Sequence, residues 1–120
     1  MKIIAAGNIP LVCFHDMLCV LMSGCVLVLK PSSKDNLLPR LVIETLKKIN
    51  PELQDRIIIE DGAPEKFDAI IATGSNNSSR YFDYYFAKYP HIIRRSRNSV
   101  AVITGSESAT EYNALADDIF

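Results

Sequence analysis

The sequence lacks the short motifs that name a function outright. It has no GxGxxG and no GxxxxGK[ST], so neither standard phosphate loop is present. It has no CxxC pair. Its cysteines are Cys13, Cys19 and Cys25, all within one apolar stretch. That spacing does not suit a structural zinc site, so no metal is expected. An odd set of three fits reduced, buried packing thiols better than a disulfide framework. There is no internal repeat and no low-complexity segment. The formal net charge is only −1, which gives no electrostatic reason to expect nucleic acid or another polyanion.

A membrane span is also missing. The apolar region from Leu11 to Leu29 is broken by His15, Asp16 and Gly24. An Asp near a bilayer centre costs about 3 kcal/mol. Met22-Ser23-Gly24-Cys25 has some likeness to a lipobox, which leaves lipid anchoring at Cys25 as an alternative location. Asn8, Pro10, His15 and Asp16 interrupt the apolar run that such a signal needs. A cytoplasmic location is the expectation.

What remains is an ordinary globular composition. At 120 residues, with 48% apolar and 22% charged, the chain can build one domain around one core. Short apolar runs alternate with stretches of helical spacing. Strands are expected over Lys2–Ala6, Val26–Leu29, Ile57–Glu60, Ala69–Ala72 and Ser99–Ile103. Helices are expected over Leu11–Ser23, from Asp35 or Asn36 to Ile49, over Ser75 to about Lys88, and over Glu107–Ile119. Pro10 suits the first position of the first helix and Gly24 its end. That helix is apolar on almost every side, so deep burial is expected. The second helix has an inner stripe at Leu38, Leu41, Val42, Thr45, Leu46 and Ile49. Uniformly apolar strands alternating with helices imply a mainly parallel sheet of about five strands covered on both faces, a Rossmann-like three-layer α/β domain over residues 1–120. The link between the third and fourth strands is the difficulty. It has about eight residues where a parallel crossover usually takes a dozen or more, so the link must run nearly extended or one of the two strands must be very short.

Ligands of such sheets sit outside the carboxyl ends of the strands. Asn8, Lys30 and Ser75 each follow a strand directly, and in a parallel sheet all three fall on that edge. Asp68 to Arg80 is the most suggestive stretch. A buried strand stops at Gly74, and a helix then opens on small polar residues. Free N–H groups and the helix dipole at such a start suit a phosphate. The same pattern also describes a turn capped by Ser75 or Asn76 that binds nothing.

Three segments then carry a resemblance: Ala6-Gly7-Asn8-Ile9-Pro10-Leu11, Val28-Leu29-Lys30-Pro31-Ser32-Ser33 and Ala72-Thr73-Gly74-Ser75. In this order and spacing they resemble the nucleotide-binding part of the aldehyde dehydrogenase superfamily. Gly7-Asn8-Ile9-Pro10-Leu11 with Phe14-His15-Asp16, Ser32-Ser33-Lys34-Asp35, Ala72-Thr73-Gly74-Ser75-Asn76-Asn77, Tyr89 to Arg94 and Arg97 to Val102 narrow it. The chain resembles the acyl-CoA reductases related to the fatty-acid reductase of bacterial luminescence, over nearly its whole length.

The resemblance implies reduction of a fatty acyl thioester to an aldehyde with NADPH, or alternatively NADH. It implies that Lys30 meets the adenosine ribose and that Ser32, Ser33 and Lys34 belong to the same loop. A Glu often found at the position of Ser33 is absent. Its loss, with Lys34 alongside, favours a 2′-phosphate and hence NADPH. Gly74, Ser75 and Asn76 would meet the pyrophosphate, and Asn8 would donate to the oxyanion at the reacting carbonyl. A general-base Glu found near Arg97 to Ser99 in hydrolytic relatives is replaced by Arg97-Asn98, as suits a reductase.

The family's nucleophilic cysteine lies beyond the stretch corresponding to Phe120, and Cys13, Cys19 and Cys25 match no such position. The expectation is therefore a partial protein, inactive alone and self-associating through uncovered apolar surface. The alternative is a non-catalytic cofactor-binding or interaction module left by truncation or a split gene. Arg94, Arg95 and Arg97 would meet phosphates or make surface ion pairs. The run from Tyr81 to Phe86 would stack on a base or an acyl chain, or, as helical spacing more often gives, lie half in the core and half on the surface. His15 and Asp16 point apart on a helix and make no dyad.

Overall fold

The computed structural model describes residues 1–60, 66–96 and 100–119. Five strands form one parallel sheet: β1 (Lys2–Ile4), β2 (Leu27–Lys30), β3 (Ile57–Ile59), β4 (Ile70–Thr73) and β5 (His91–Arg94). The helices are α1 (Phe14–Met22), α2 (Leu37–Ile49), α3 (Asn76–Phe86) and α4 (Ala109–Ile119). The order across the sheet is β3-β2-β1-β4-β5. The chain moves outward from β1 to β3, returns to β4 on the other side of β1, and moves outward again. This is the doubly wound order with its switch point between β1 and β4.

The third crossover stays short because β3 is itself very short, three residues from Ile57 to Ile59. β3 and β4 are not neighbours but three strand spacings apart, about 14 Å. Residues 60–69 join them, a length that extended chain covers with ease at about 3.3 Å per residue. No helix is needed.

The two faces of the sheet have different cores. On one, Ile3, Leu29 and Ile71 lie in register and pack with Leu27 and Ile57 against Met17, Val20 and Leu21 of α1 and Ile43 of α2. On the other, Lys2 lies over the ring of Phe67 at 5.5 Å from its centroid. Phe67 packs in turn on Phe86 of α3 and on Tyr89. So α1 and α2 cover one face, and α3 covers the other.

Several expected boundaries shift. α1 begins at Phe14 rather than Leu11. Leu11 has a φ of 55°, outside the right-handed helical region, and its N–H donates to Asp35 Oδ2 at 2.7 Å. α1 ends as expected: Gly24 has a φ of 80°, its N–H reaches the Leu21 carbonyl and the Cys25 N–H reaches that of Val20. That is a Schellman closure. Arg56 adds its guanidinium to the Leu21 and Cys25 carbonyls at 2.9 and 3.2 Å.

α1 is not buried all round. Asp16, Met17, Val20 and Leu21 face inward, while Phe14, His15, Cys19 and Met22 are exposed. The stripe of α2 is rotated from the expected one. Pro39 and Ile43 are buried and Val42 and Leu46 pack beside them, whereas Leu41, Thr45 and Ile49 are exposed.

The fifth strand is displaced. Residues 100–103 form no strand, and Ser99 lies outside the described residues. The strand is His91–Arg94, whose two isoleucines are too short an apolar run to stand out without the neighbour β4 supplies. Of residues 100–119 none is buried, and α4 packs no side chain into the core. Cleavage ahead of Cys25 would remove β1 from the middle of the sheet, so lipid anchoring there does not fit the fold. Among the described residues, no helix is long and apolar enough to cross a membrane.

Candidate nucleotide site

A cavity of about 990 Å³ opens at the carboxyl ends of β1, β4 and β5, beside the switch point. It is at the upper end of the range of about 300–1,000 Å³ typical of small-molecule and cofactor sites. Its walls are the turn after β1 (Gly7, Asn8), the loop after β2 (Ser32, Lys34), the turn after β4 (Gly74, Ser75) and the end of β5 (Arg94, Arg95). A narrower cleft of about 430 Å³ adjoins it, sharing Gly7 and Lys34 and adding Ser33 and Asn36.

Two close approaches hold these turns together. A Cβ on Gly7 would sit 2.3 Å from Ser32 Oγ and 2.9 Å from Lys34 Cβ, so only glycine lets the β2 loop close on the β1 turn. A Cβ on Gly74 would sit 2.9 Å from Ser78 Cβ and 3.0 Å from Phe82 Cε2, so only glycine lets α3 start this close to β4. The β2 loop is itself a tight turn. The Lys34 N–H donates to Ser32 Oγ at 3.2 Å, and the Asp35 N–H donates to the Ser32 carbonyl at 3.2 Å.

Ser75 is the N-cap of α3, and its Oγ accepts from the Ser78 N–H at 3.3 Å. The capped-turn reading is therefore correct for the Ser75 side chain. It does not use up the helix start. The N–H groups of Asn76 and Asn77, in the first turn, have no carbonyl one turn back to meet. They remain available to an anion, as does the positive end of the helix dipole.

The fold thus gathers Asn8, Ser32, Lys34, Gly74 and Ser75 around the cavity, with Ser33 in the adjoining cleft. Lys30 and Asn76 do not line the cavity. Lys30 is exposed at the end of β2, one residue short of the loop, and Asn76 is exposed at the start of α3.

The basic cluster separates. Arg94 donates from Nη2 to Asp16 Oδ1 at 2.7 Å and from Nε to Oδ2 at 3.3 Å. Arg95 pairs with Asp83 at 2.7 Å. Both make ion pairs, and Arg97 and Asn98 lie outside the described residues. The Asp16–Arg94 pair is the feature that sequence reasoning missed. In the sequence Asp16 interrupts an apolar run and belongs to the Phe14-His15-Asp16 segment, but nothing there points to Arg94, 78 residues away. His15 Nδ1 stands 3.8 Å from Asp16 Oδ1, beyond hydrogen-bonding distance, so these two form no dyad.

None of the three cysteines lines the cavity. Cys13 is buried, and burial pushes its thiol up to about 11, which keeps it protonated and unreactive. Cys25 is half-buried in the turn after α1. Cys19 departs from the packing role expected of it. It is exposed, with Sγ 3.8 Å from His15 Nε2. Among the described residues, no three His, Cys, Asp or Glu side chains come together as a metal site would need. The aromatic run divides as expected: Tyr81, Tyr84 and Tyr85 are exposed, while Phe82 and Phe86 turn inward.

A family model described as acyl-CoA reductase (LuxC) matches residues 2–120. The chain belongs to the LuxC acyl-CoA reductase family. It is thus a relative of fatty acyl reductases, and its site lies on a sheet of the dinucleotide-binding order. No curated protein and no solved structure matches it.

Proposed function

We propose that the chain is the NADPH-binding part of an acyl-CoA reductase that converts fatty acyl thioesters to aldehydes. The observation that carries this reading is the shared cavity at the switch point. It is lined by Asn8, Lys34 and the Gly74-Ser75 turn, with the free amides of α3 at that turn. The donor set fits a nicotinamide dinucleotide: backbone amides for the pyrophosphate, and Lys34 with Ser33 for a 2′-phosphate. Lys30, at the rim, would meet the adenosine ribose. The bound cofactor would supply hydride. Asn8 would donate its side-chain amide to the thioester carbonyl oxygen as negative charge develops there, a contribution of about 2.7–4 kcal/mol for a preorganised donor.

None of Cys13, Cys19 and Cys25 lines the cavity, which supports the reading that the thiol that would carry the acyl group is none of them. The chain alone is therefore expected to bind cofactor without turnover. The exposed side chains of Val100, Val102 and Ile103 support self-association or cover by further protein. The same absence of a cavity thiol favours the second reading, a non-catalytic cofactor-binding or interaction module.

Calorimetry with NADPH and NADH tests the cofactor reading. Micromolar binding, tighter for NADPH, supports it, and no binding of either sinks it. An NADPH-dependent acyl-CoA reduction assay tests the rest. Turnover by the purified chain would overturn the claim that these cysteines are not the acyl carrier.

A further inference from the structure

Arg94 is the last residue of β5 and stands in register with Thr73 of β4. Thr73 follows Ile71 by two, so Arg94 emerges on the face that α1 covers, where Asp16 meets it. Asp16 is buried and takes two of the five guanidinium N–H donors in a fork. Arg94 also lines the cavity, and among the described residues its Nη1 has no partner. A guanidinium held by a buried carboxylate thus stands in the same cavity wall as Asn8.

Charge decides what it is suited to hold. The Asp16 carboxylate neutralises the guanidinium, so the pair offers directional hydrogen bonds with no net charge. A phosphate group gains little from such a pair and meets the repulsion of Asp16 behind it. It does better at the first turn of α3 and at Lys34, where positive charge is not cancelled in this way. A neutral carbonyl oxygen has the opposite preference. The cavity is therefore divided into an anion end and a neutral end.

We propose that Arg94, clamped by Asp16, is the specificity-determining donor for a neutral carbonyl oxygen, the carboxamide of the cofactor or the thioester of the acyl substrate. The inference rests on the nucleotide reading above and goes beyond it in assigning the uncharged end. Asp16 acts through Arg94 and is a positioning residue.

The test is calorimetry on the full chain with four probes: NADPH, adenosine 2′,5′-bisphosphate, acetyl-CoA and free CoA. The bisphosphate carries the anion end alone. Arg94→Gln is expected to weaken NADPH about tenfold, the size of one lost hydrogen bond to a charged group, and the bisphosphate less than about twofold. That result assigns the carboxamide. A loss confined to acetyl-CoA relative to CoA assigns the thioester. Asp16→Asn, which keeps the cation but removes its anchor, should weaken the same probe as Arg94→Gln without weakening the bisphosphate, a selectivity that a merely structural role would not produce. Equal losses for NADPH and the bisphosphate overturn the proposal in favour of a phosphate contact, and no loss for any probe overturns it in favour of a tether between β5 and α1. If the wild-type chain binds none of the four, the nucleotide reading fails and takes this inference with it. Should Arg94→Gln not fold, Arg94→Lys keeps the charge but not the fork. It should show the same selective loss, and unchanged binding would count as refutation.

Discussion

Lys2 of β1 and Glu60, just past β3, form an ion pair that reaches across β2 and is buried at both ends. The Lys2 ammonium also lies over the Phe67 ring. Removing Glu60 strands the Lys2 ammonium away from water, at a cost of about 3–5 kcal/mol. Glu60→Gln should lower stability to urea by about that amount. The apolar pair Lys2→Met with Glu60→Leu should return to within about 1 kcal/mol of wild type or exceed it. If the losses of the single variants Lys2→Met and Glu60→Leu simply add in the double variant, the pair is not coupled as described.

Gly74 sets how closely α3 approaches β4. Gly74→Ala places a methyl 2.9 Å from Ser78 Cβ and 3.0 Å from Phe82 Cε2. Overpacking of this kind costs about 1–3 kcal/mol. The expected result is a lower thermal midpoint, partly restored by Phe82→Leu. A variant as stable as wild type would show that the contact relaxes without cost.

Lys34 is the lysine that faces both the cavity and the cleft, whereas Lys30 lines neither. Lys34→Ala should weaken NADPH about tenfold, the value of one hydrogen bond to a charged group, and NADH under about twofold. Lys30→Ala should affect both cofactors alike. Isothermal titration of the two variants separates these roles, and an equal effect of Lys34→Ala on both cofactors would remove the case for a 2′-phosphate contact.

The segment before α4 carries a pH dependence. The Thr104 backbone N–H, the Thr104 hydroxyl and the Gly105 N–H all donate to Glu107, and these bonds, led by that of the Thr104 backbone, hold its carboxyl down at about 2. A depressed carboxyl stabilises the folded form fully above its ordinary value near 4.5 and loses that contribution as pH falls toward 2. Ser108 and Glu111 form a capping box at the helix start, and bonds from Ser108 lower Glu111 as well. Helical chemical shifts over residues 109–119 should fade between pH 4.5 and 2 while β1 to β4 persist. In Glu107→Gln the fading should be reduced, and an identical profile would exclude Glu107 as its source.

Much of this architecture is legible along the chain because its signals are local. Val28-Leu29 and Ile70-Ile71-Ala72 are apolar enough to read as covered strands, and Gly24 marks a helix end by its own conformational freedom. Ser75 reads as a helix start because small polar side chains cap N–H groups within three residues. β5 was harder, because Ile92-Ile93 between His91 and Arg94 becomes a strand only through its pairing with β4. The buried stripe of α2 differs from the expected one by a fraction of a turn, since its pattern is apolar over too wide an arc to fix the rotation.

The sequence by itself determined the alternation of strands and helices, the parallel sheet, and the family to which its ordered motifs belong. Each of those is read from short segments, each local in itself, and from their order along the chain. The tertiary structure alone decided that β4 returns to the side of β1 away from β2, and so where the cavity opens. It also decided the register that brings Arg94 over Asp16 and Lys2 to Glu60. Ion pairs between distant residues leave no periodic trace, because a charge beside an apolar run reads the same whether it ends in water or against a partner from another strand.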